Sequence, residues 1–575
     1  MARIRKVEIR NFRSIQTLDW FPSTGINCLI GPGDNGKSTI LDAIDMCLGA
    51  RRSVPIGDTD FFNLDVTHPI SITLTLGALS DALKNIDTYG VYLRAFDATT
   101  GQIEEEPRHG LETTLMLNLT VASDLEPVWT LVSQRAQQQG LERSIAWKDR
   151  VGIAPARLGS YTNSNLSWTR GSVLNHLSEE RANLGAELAR AAREARANFG
   201  DQAGAQFTEA LRTVTDTATS LGVPIGATAK ALLDAHSVSI SDGAIALHNE
   251  SGVPLRSLGT GSARLLIAGL QRAAADCASI VLVDELEYGL EPHRLIRLLG
   301  SLGAKENPPP LQVFMTTHSP VAVRELNGNQ VFVVRANAQD HQVKQVGITD
   351  DVQSTIRRDP EAFLARTVIV CEGASEVGFV RGMDEYRVLQ GQHSLLASGT
   401  AYVDIGGGNP DRCFERGSAL LNLGYHVIVL VDSDKPPNQE IVNRFIATGG
   451  KFIAWRPGRA IEDELFMSLD DRTIYSLIQR AIELTEDGIV DAHIRTQSEG
   501  KTTLDMILAE GASTGYSENT RALLGLASRK GKNGWFKSVT KFEGVARDIV
   551  GPNLGNTDAG FQELVNNLFR WAHAT

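Results

Sequence analysis

The chain has 575 residues, 42% of them apolar and 22% charged, with a formal net charge of −12. That length allows about two to four domains, and the mixture excludes a disordered, collagen-like or disulfide-dense class. The acidic balance argues against a uniformly basic nucleic-acid binder, yet it leaves local DNA-contacting patches open.

Five cysteines, Cys28, Cys47, Cys277, Cys371 and Cys413, lie far apart and read as reduced core residues, not as zinc ligands or a disulfide framework. The start, Met1 to Ile9, is charged and alternating, which predicts an edge strand and not a signal peptide. No run approaches the roughly 18 apolar residues of a membrane span, so a cytoplasmic protein without membrane association is expected.

Val7 to Arg13 alternates as a strand does, and Asn11-Phe12-Arg13-Ser14-Ile15 closes it. The apolar run Ile26 to Ile30 then leads into Gly31-Pro32-Gly33-Asp34-Asn35-Gly36-Lys37-Ser38-Thr39, and Ile40 to Ile44 has helical apolar spacing. Strand, glycine loop and helix in that order is the context a phosphate-binding loop requires. Glycines let the chain curl so that backbone N–H groups and the helix N-terminus face the phosphates. Lys37 suits neutralisation of phosphate charge, and the Ser38 hydroxyl suits Mg²⁺. Gly31, Gly33, Asp34, Asn35, Gly36, Lys37, Ser38, Thr39 and the nearby Arg13 are the first candidates for binding ATP.

Further strands are expected at 70–76, 114–120 and 127–132. From about Val173 to Leu221 the chain turns alanine-rich, with Leu174, Leu177, Leu184 and Leu188, then Phe207, Leu211, Val214 and Leu221 at helical intervals. Two amphipathic helices joined near Gly200-Asp201 are expected, either as a self-association surface or as a packed accessory layer. After an expected hairpin, Val238 to Leu247, Leu258-Gly259-Thr260-Gly261-Ser262-Ala263-Arg264 opens an apolar helix from Leu265 to Ala275. Gly259 and Gly261 at a helix start form another anion-binding arrangement. Ile280 to Val283 is a buried strand ending in Asp284 and Glu285. Asp284 would orient Mg²⁺ through water, and Glu285 would polarise the attacking water. Gln312 to Thr316 is one more strand, ending in a polar turn whose His318 suits a γ-phosphate sensor.

These residues resemble the ABC-type ATPase heads of the Rad50, RecF and SMC group. The chain departs from that group in having no recognisable Leu-Ser-Gly-Gly-Gln signature and no long coiled coil. The resemblance implies ATP binding across two protomers, so that homo-oligomerisation, dimer or tetramer, would run through the ATPase half.

Past Val331 to Val334 and a polar, linker-like stretch, strands and helices alternate anew. Thr367 to Cys371 is a buried strand ending at Glu372, turning on Gly373 and starting a helix that carries Glu376. Ala401 to Asp404 is a second strand followed by Gly406-Gly407-Gly408. His426 to Val431 is a third, ending in Asp432 and Asp434, which flank the strand end. In open α/β sheets sites gather at the carboxyl ends of strands. Glu372, Glu376, Asp432 and Asp434 thus converge on one rim, where bare carboxylates repel unless cations lie between them. Oxygen-only ligands favour Mg²⁺ or Mn²⁺, and two such ions suit phosphodiester cleavage.

This order of acids resembles the Toprim domain, and a Toprim behind an ABC-type head resembles the OLD family of ATP-dependent endonucleases, including the nuclease subunit of Gabija anti-phage systems. The resemblance runs over essentially the whole chain. It implies an α/β protein with an ABC-type ATPase domain at 1–345 carrying a helical insertion at about 165–222, a linker at 346–365, and a Toprim domain with a helical, basic extension at 366–575. It also implies metal-dependent cutting of DNA under ATP control in defence against phage, with ATP and one Mg²⁺ (or Mn²⁺) in the first half and two such ions in the second. Whether a UvrD-like helicase encoded nearby takes part stays open.

By position, Glu372 would be the first acid, Glu376 its helical companion, and Asp432 and Asp434 the paired acids. Ala460-Ile461-Glu462-Asp463-Glu464-Leu465-Phe466 would supply a further metal ligand. Three acids compete for that place, and Glu462 is preferred. Arg529-Lys530-Gly531-Lys532-Asn533-Gly534-Trp535-Phe536-Lys537 resembles the family's basic motif, with Lys537 steadying transition-state charge. With Lys541 and Arg547 the same segment is the expected phosphate-contacting patch. Two rivals remain: a RecF/Rad50-like repair ATPase whose Toprim domain binds DNA without cutting it, and a topoisomerase or primase, for which no tyrosine sits in a discernible companion domain.

Overall fold

The computed structural model describes residues 2–159, 207–229 and 246–574, apart from 52–53, 222, 275–278, 338–339 and 532–533, with isolated residues between 160 and 206. A large sheet contains β1 (Arg3–Phe12), β2 (Ile15–Trp20), β3 (Ile26–Ile30), β4 (Ile70–Gly77), β5 (Arg94–Phe96), β6 (Ile103–Glu104), β7 (Glu112–Val121), β8 (Pro127–Leu131), β9 (Ala156–Leu158), β10 (Ile280–Val283), β11 (Gln312–Thr316), β12 (Val331–Ala336) and β13 (His341–Gln345). Its order is β6-β5-β7-β4-β1-β2-β13-β12-β3-β11-β10-β9, with β8 on β7. The stretch β12-β3-β11-β10-β9 is parallel, whereas β1, β2, β4 and β7 pair antiparallel.

That division follows from the residues. Ile26–Ile30 and Ile280–Val283 are buried at every position, as parallel strands covered on both faces must be. Arg3–Phe12 alternates apolar and polar instead and has one face toward a core in which Trp20 meets Phe314 and Phe332 edge to face.

The second sheet is parallel throughout: β14 (Thr367–Cys371), β15 (Thr400–Asp404), β16 (His426–Val431) and β17 (Lys451–Ala454), in the order β15-β14-β16-β17. The chain leaves β14 for one neighbour and returns to pair on its other side, so the connections diverge between β14 and β16. In such sheets the crevice outside that divergence is where ligands bind.

The polar stretch read as a linker at 346–365 is folded. Helix Asp350–Arg358 and the turn Pro360–Leu364 bury Val352, Ile356 and Phe363 in a core that continues from Val323 and Leu326 to Val368 and Val370. Charged residues around three widely spaced apolar ones hid the amphipathic face. Strand β13 also lies in the polar stretch, where the antiparallel pairing with β12 supplies what composition lacked. Of the two helices expected across 173–221, Thr208–Ser220 is described. Most of the remainder, like the hairpin expected at 238–247, lies outside the described residues.

Cys28, Cys47, Cys371 and Cys413 are buried and free, and Cys277 lies outside the described residues. Among the described residues no helix is long and apolar enough to cross a membrane.

Candidate functional site

The glycine loop sits where β3 meets the helix Lys37–Leu48, capped by Gly36 at φ 78°. Gly31 has φ 139°, and a Cβ there would stand 2.6 Å from the Val334 carbonyl oxygen, so only glycine fits. Asn35 donates to that same carbonyl at 3.3 Å. Lys37 is buried and donates Nζ–H to the Gly31 and Pro32 carbonyls at 3.0 and 2.7 Å, which curls the loop around its ammonium. Burial lowers its pKa against the pull of Asp34 and Asp284.

Ser38 Oγ donates to Asp284 Oδ1 at 3.0 Å, and Thr316 Oγ1 donates to the same oxygen at 2.6 Å. A hydroxyl and a carboxylate are thereby brought together at the end of β10, as a phosphate-bound cation requires. Glu285 follows with φ 48° and an exposed side chain, its N–H fixed by Thr316 Oγ1 at 2.9 Å. A non-glycine residue in the left-handed region stores strain that the surrounding contacts must hold.

Two residues without a signal in the local sequence do that holding. Arg264, fully buried in helix Thr260–Ala273, donates to the carbonyls of Glu285 and Tyr288 at 3.1 and 2.6 Å. Glu287 accepts from His318 N–H at 2.8 Å and from Thr317 Oγ1 at 2.6 Å, so the histidine turn is tied to the acid turn. Gly259 caps the helix, and a Cβ on Gly261 would lie 2.4 Å from the Gly289 oxygen. Arg13 stands apart: its guanidinium pairs with Asp42 and Asp60 at 2.5 and 2.8 Å. Its neighbour Ser14 approaches the loop, with Oγ 3.3 Å from Thr39 Oγ1. Gly33 has nothing within 4 Å of a Cβ position.

The second site lies at the divergence of β14 and β16. Glu372 Oε2 accepts from Asp432 N–H at 3.1 Å, so the acids ending those two strands touch. Asp432 Oδ1 accepts from Ile461 N–H at 3.0 Å, which joins the strand tip to helix Ile461–Ser468. Glu376, 3% exposed, accepts from Gly373 N–H at 2.9 Å in the first turn of helix Ala374–Leu389. Ser375 of the same turn donates to Glu462 Oε1 at 3.3 Å.

The three consecutive acids of that helix separate by partner. Glu464, wholly buried, is held by Arg456 at 2.5 Å and Arg459 at 3.3 Å. Asp463 caps its own helix through Ala460 N–H and meets Arg529 at 3.3 Å. Glu462 has no basic partner in contact among the described residues and lies toward Glu376 and Asp432. Asp434 is more exposed and pairs with Arg529 at 2.9 Å.

Burial drives the Glu376 carboxyl well above the usual range, and Asp432, Glu462 and Glu372 add repulsion. Asp432 is likewise far above its ordinary value through burial, then Glu462 and Glu372. Burial also raises Glu462 and Glu372. Lys537 opposes the shift on Glu462, so its ammonium lies within electrostatic reach of the acids. It follows Trp535 and Phe536, both fully buried, and donates to Gly531 O at 3.3 Å.

Among the described residues no group of three or more His, Cys, Asp or Glu side chains is arranged to hold a metal ion. The acids instead turn their oxygens to backbone N–H groups and a hydroxyl, which relieves their mutual repulsion. The donor set still fits a hard divalent cation, being all oxygen and made of several acids.

Lys541 and Arg547, expected in a phosphate-contacting patch, are engaged elsewhere. Lys541 donates to Leu484 O at 3.0 Å, and Arg547 pairs with Glu385 and Asp548 at 3.0 and 2.8 Å. Besides the shared core, Arg335 of β12 links the two halves: its guanidinium lies 4.0 Å over the Tyr425 ring and donates to Ala365 O at 3.4 Å. Tyr425 immediately precedes β16, the strand that ends at Asp432.

Two family models match the first half: "AAA domain" over residues 6–148, and "AAA domain, putative AbiEii toxin, Type IV TA system" over residues 155–324. Both stretches are thus similar to AAA-type ATPase domains, which implies nucleotide binding with a divalent metal ion. Over 75 residues the chain is 37% identical to the OLD nuclease of Thermus scotoductus, covering 12% of this chain and 14% of that protein. Over 45 residues it is 44% identical to the DNA replication and repair protein RecF of Prosthecochloris aestuarii, covering 8% and 12%. The chain thus matches well under two thirds of either relative's length. Solved structures that share some of its shape include the SMC head domain of Thermotoga maritima, at 14% identity, TM-score 0.26 and coverage of 60% and 100%. RecF of the RecFOR pathway follows at 10% identity, TM-score 0.29 and coverage of 60% and 98%.

Proposed function

We propose that the chain is an ATP-regulated, divalent-metal-dependent DNA endonuclease of the OLD kind, with a Toprim-like lobe behind the ATPase half. The observation that carries this reading is the gathering of Glu372, Glu376, Asp432 and Glu462 at the divergence of a parallel sheet. Buried acids that raise one another's pKa make poor structural elements and good cation ligands.

In this reading Glu372, Glu376, Asp432, Asp434 and Glu462 hold one or two Mg²⁺ or Mn²⁺ ions. When bound, such ions supply charge to the attacking and leaving oxygens of a phosphodiester. Water attacks phosphorus, the bond to one bridging oxygen breaks, and that oxygen leaves with a proton. Lys537 faces the charge that builds on the phosphate, fixed in place by its buried aromatic neighbours. Arg529 bridges Asp434 and Asp463 and offsets their negative charge.

In the ATPase half, Ser38 and Asp284 hold the nucleotide's cation, Lys37 meets the phosphates, Glu285 orients water, and His318 senses the γ-phosphate. Gly259 and Gly261 open a helix whose exposed end suits a second copy's nucleotide, so ATP would draw two chains together. The contact of Arg335 with Tyr425 gives the nucleotide state a route to β16. The resemblance to OLD and Gabija nucleases makes phage defence the biological setting, alone or beside a UvrD-like helicase. The short RecF match supports the rival, a DNA-repair ATPase that holds DNA without cutting it.

The test incubates purified protein with supercoiled plasmid in Mg²⁺ or Mn²⁺, with and without ATP. Nicked or linear product that Asp434→Ala abolishes supports the endonuclease. DNA retention with no product in any metal or nucleotide condition supports the rival.

A further inference from the structure

Next to the acids, β15 ends in a loop that the cutting chemistry leaves unused. Gly406, Gly407 and Gly408 have φ of 84°, 76° and 109°, three successive positive values that only glycine adopts without strain. Gly406 and Gly408 are exposed. The loop is anchored to the acid site, since Gly407 N–H donates to the Glu372 carbonyl at 2.7 Å. It then feeds the twelve-residue helix Asp411–Asn422.

Three arginines lie near one another here, one of them against the loop. A Cβ at Gly406 would lie 3.6 and 3.7 Å from Arg358 Nη1 and Nη2, so that guanidinium rests against bare backbone. Arg412 stands exposed in the first turn of the helix. Neither Arg358 nor Arg412 has a side-chain hydrogen bond or ion pair among the described residues. Arg416, one turn further, is 3% exposed; its Nη2 donates to Ser354 Oγ at 2.6 Å, while Nε and Nη1 have no partner among the described residues. Arg358 and Arg412 both lie close enough to oppose the charge on Arg416.

Two of the acids nearby are already committed to backbone N–H groups. Asp404 accepts from Gly406 N–H at 2.7 Å, and Asp411 accepts from Asn438 N–H at 2.7 Å. Asp351 stands 3.8 Å from Arg416, and Asp359 is half-buried within electrostatic reach of Arg358 and Arg416, its Oδ2 without a hydrogen-bond partner among the described residues. The unpaired nitrogens of the buried Arg416 are costly to keep, and with the unpaired charges of Arg358 and Arg412 nearby they suit an anion with several oxygens. The rim carries more acids than bases, so positive charge beside it helps to hold a polyanion.

We infer that the Gly406–Gly408 loop with Arg358, Arg412 and Arg416 docks a backbone phosphate of the DNA adjoining the one that is cut. This inference rests on the endonuclease reading and names how its substrate is held. Arg358 and Arg412 grip from the surface, and Arg416 lends fixed positive charge from below.

The experiment measures binding of a fluorescein-labelled DNA duplex in EDTA, where no cutting occurs, across a series of KCl concentrations. Removing one phosphate contact lowers the slope of log affinity against log salt by about 0.9. The double variant Arg358→Ala/Arg412→Ala is expected to lose about one unit of slope and about tenfold in affinity, with unchanged melting and ATP turnover. Arg358→Lys/Arg412→Lys, which keeps the charges, is expected to retain most of the slope. A wild-type slope in the alanine variant overturns the inference, and if that variant still cuts plasmid the endonuclease reading stands without it. A wild-type protein that neither binds nor cuts DNA removes both.

Discussion

Replacing Glu376 with Gln takes one negative charge out of the most crowded part of the acid site and leaves an oxygen for Gly373 N–H. Glu376 is 3% exposed, and burial, then Asp432, Glu462 and Glu372, hold its carboxyl well above the ordinary range. Two unit charges ~5 Å apart repel by about 3 kcal/mol at an effective dielectric of about 20. Partial protonation and screening reduce that to a gain of about 1–3 kcal/mol for the variant without metal. In a domain of roughly 200 residues each kcal/mol moves the melting point by about 2–4 °C. A carboxyl raised in the folded state favours the fold below its unfolded pKa, and that stability is lost as pH rises through the folded value. The variant should therefore melt with the wild type in acid, near about pH 4, and above it by about 3–8 °C at about pH 8 in EDTA. Saturating Mn²⁺ should close or reverse the gap, because a ligand at about a hundred times its Kd stabilises by about 2.7 kcal/mol. Differential scanning calorimetry over that pH range, in EDTA and in Mn²⁺, reads both effects. If the variant melts at or below the wild type in alkaline EDTA, carboxylate repulsion does not govern this pocket.

Glu285→Gln should cut ATP turnover by about 10²-fold or more, measured by phosphate release, while sparing plasmid cutting. Asp434→Ala should do the reverse, and loss of both activities from either change in folded protein argues against two separate centres. Lys537→Ala should lower the cleavage kcat by about 10²–10³ with little change in KM, since it meets charge that exists only in the transition state. Arg335→Gln should keep both activities but flatten the dependence of cutting on ATP. An ATP response equal to wild type would free Arg335 of that role.

The glycine loop between strand and helix was legible because its spacing is local: nine consecutive residues carry the glycines, Lys37 and Ser38. The strand-end acids were legible too, since Thr367–Cys371 and His426–Val431 are unbroken apolar runs that stop at carboxylates. What composition could not show was contact across sequence. Glu287 meets His318 thirty-one residues away, Arg264 grips a turn twenty-one residues on, and Arg529 bridges Asp434 and Asp463. The choice among Glu462, Asp463 and Glu464 was hidden for a geometric reason. Consecutive helical positions point about 100° apart, so Glu464 meets Arg456 while Glu462 meets Ser375. Arg547 and Lys541 misled as a basic run because their partners, Glu385 and the Leu484 carbonyl, come from distant segments.

Isothermal titration of Mn²⁺ into nucleotide-free protein, wild type beside Asp432→Asn, asks whether the acid cluster is a cation site at all. At least one wild-type site should vanish in Asp432→Asn and persist in a Ser38→Ala control, altered in the other half. Equal Mn²⁺ binding by wild type and Asp432→Asn, or none by the wild type, would mean that these carboxylates hold no metal.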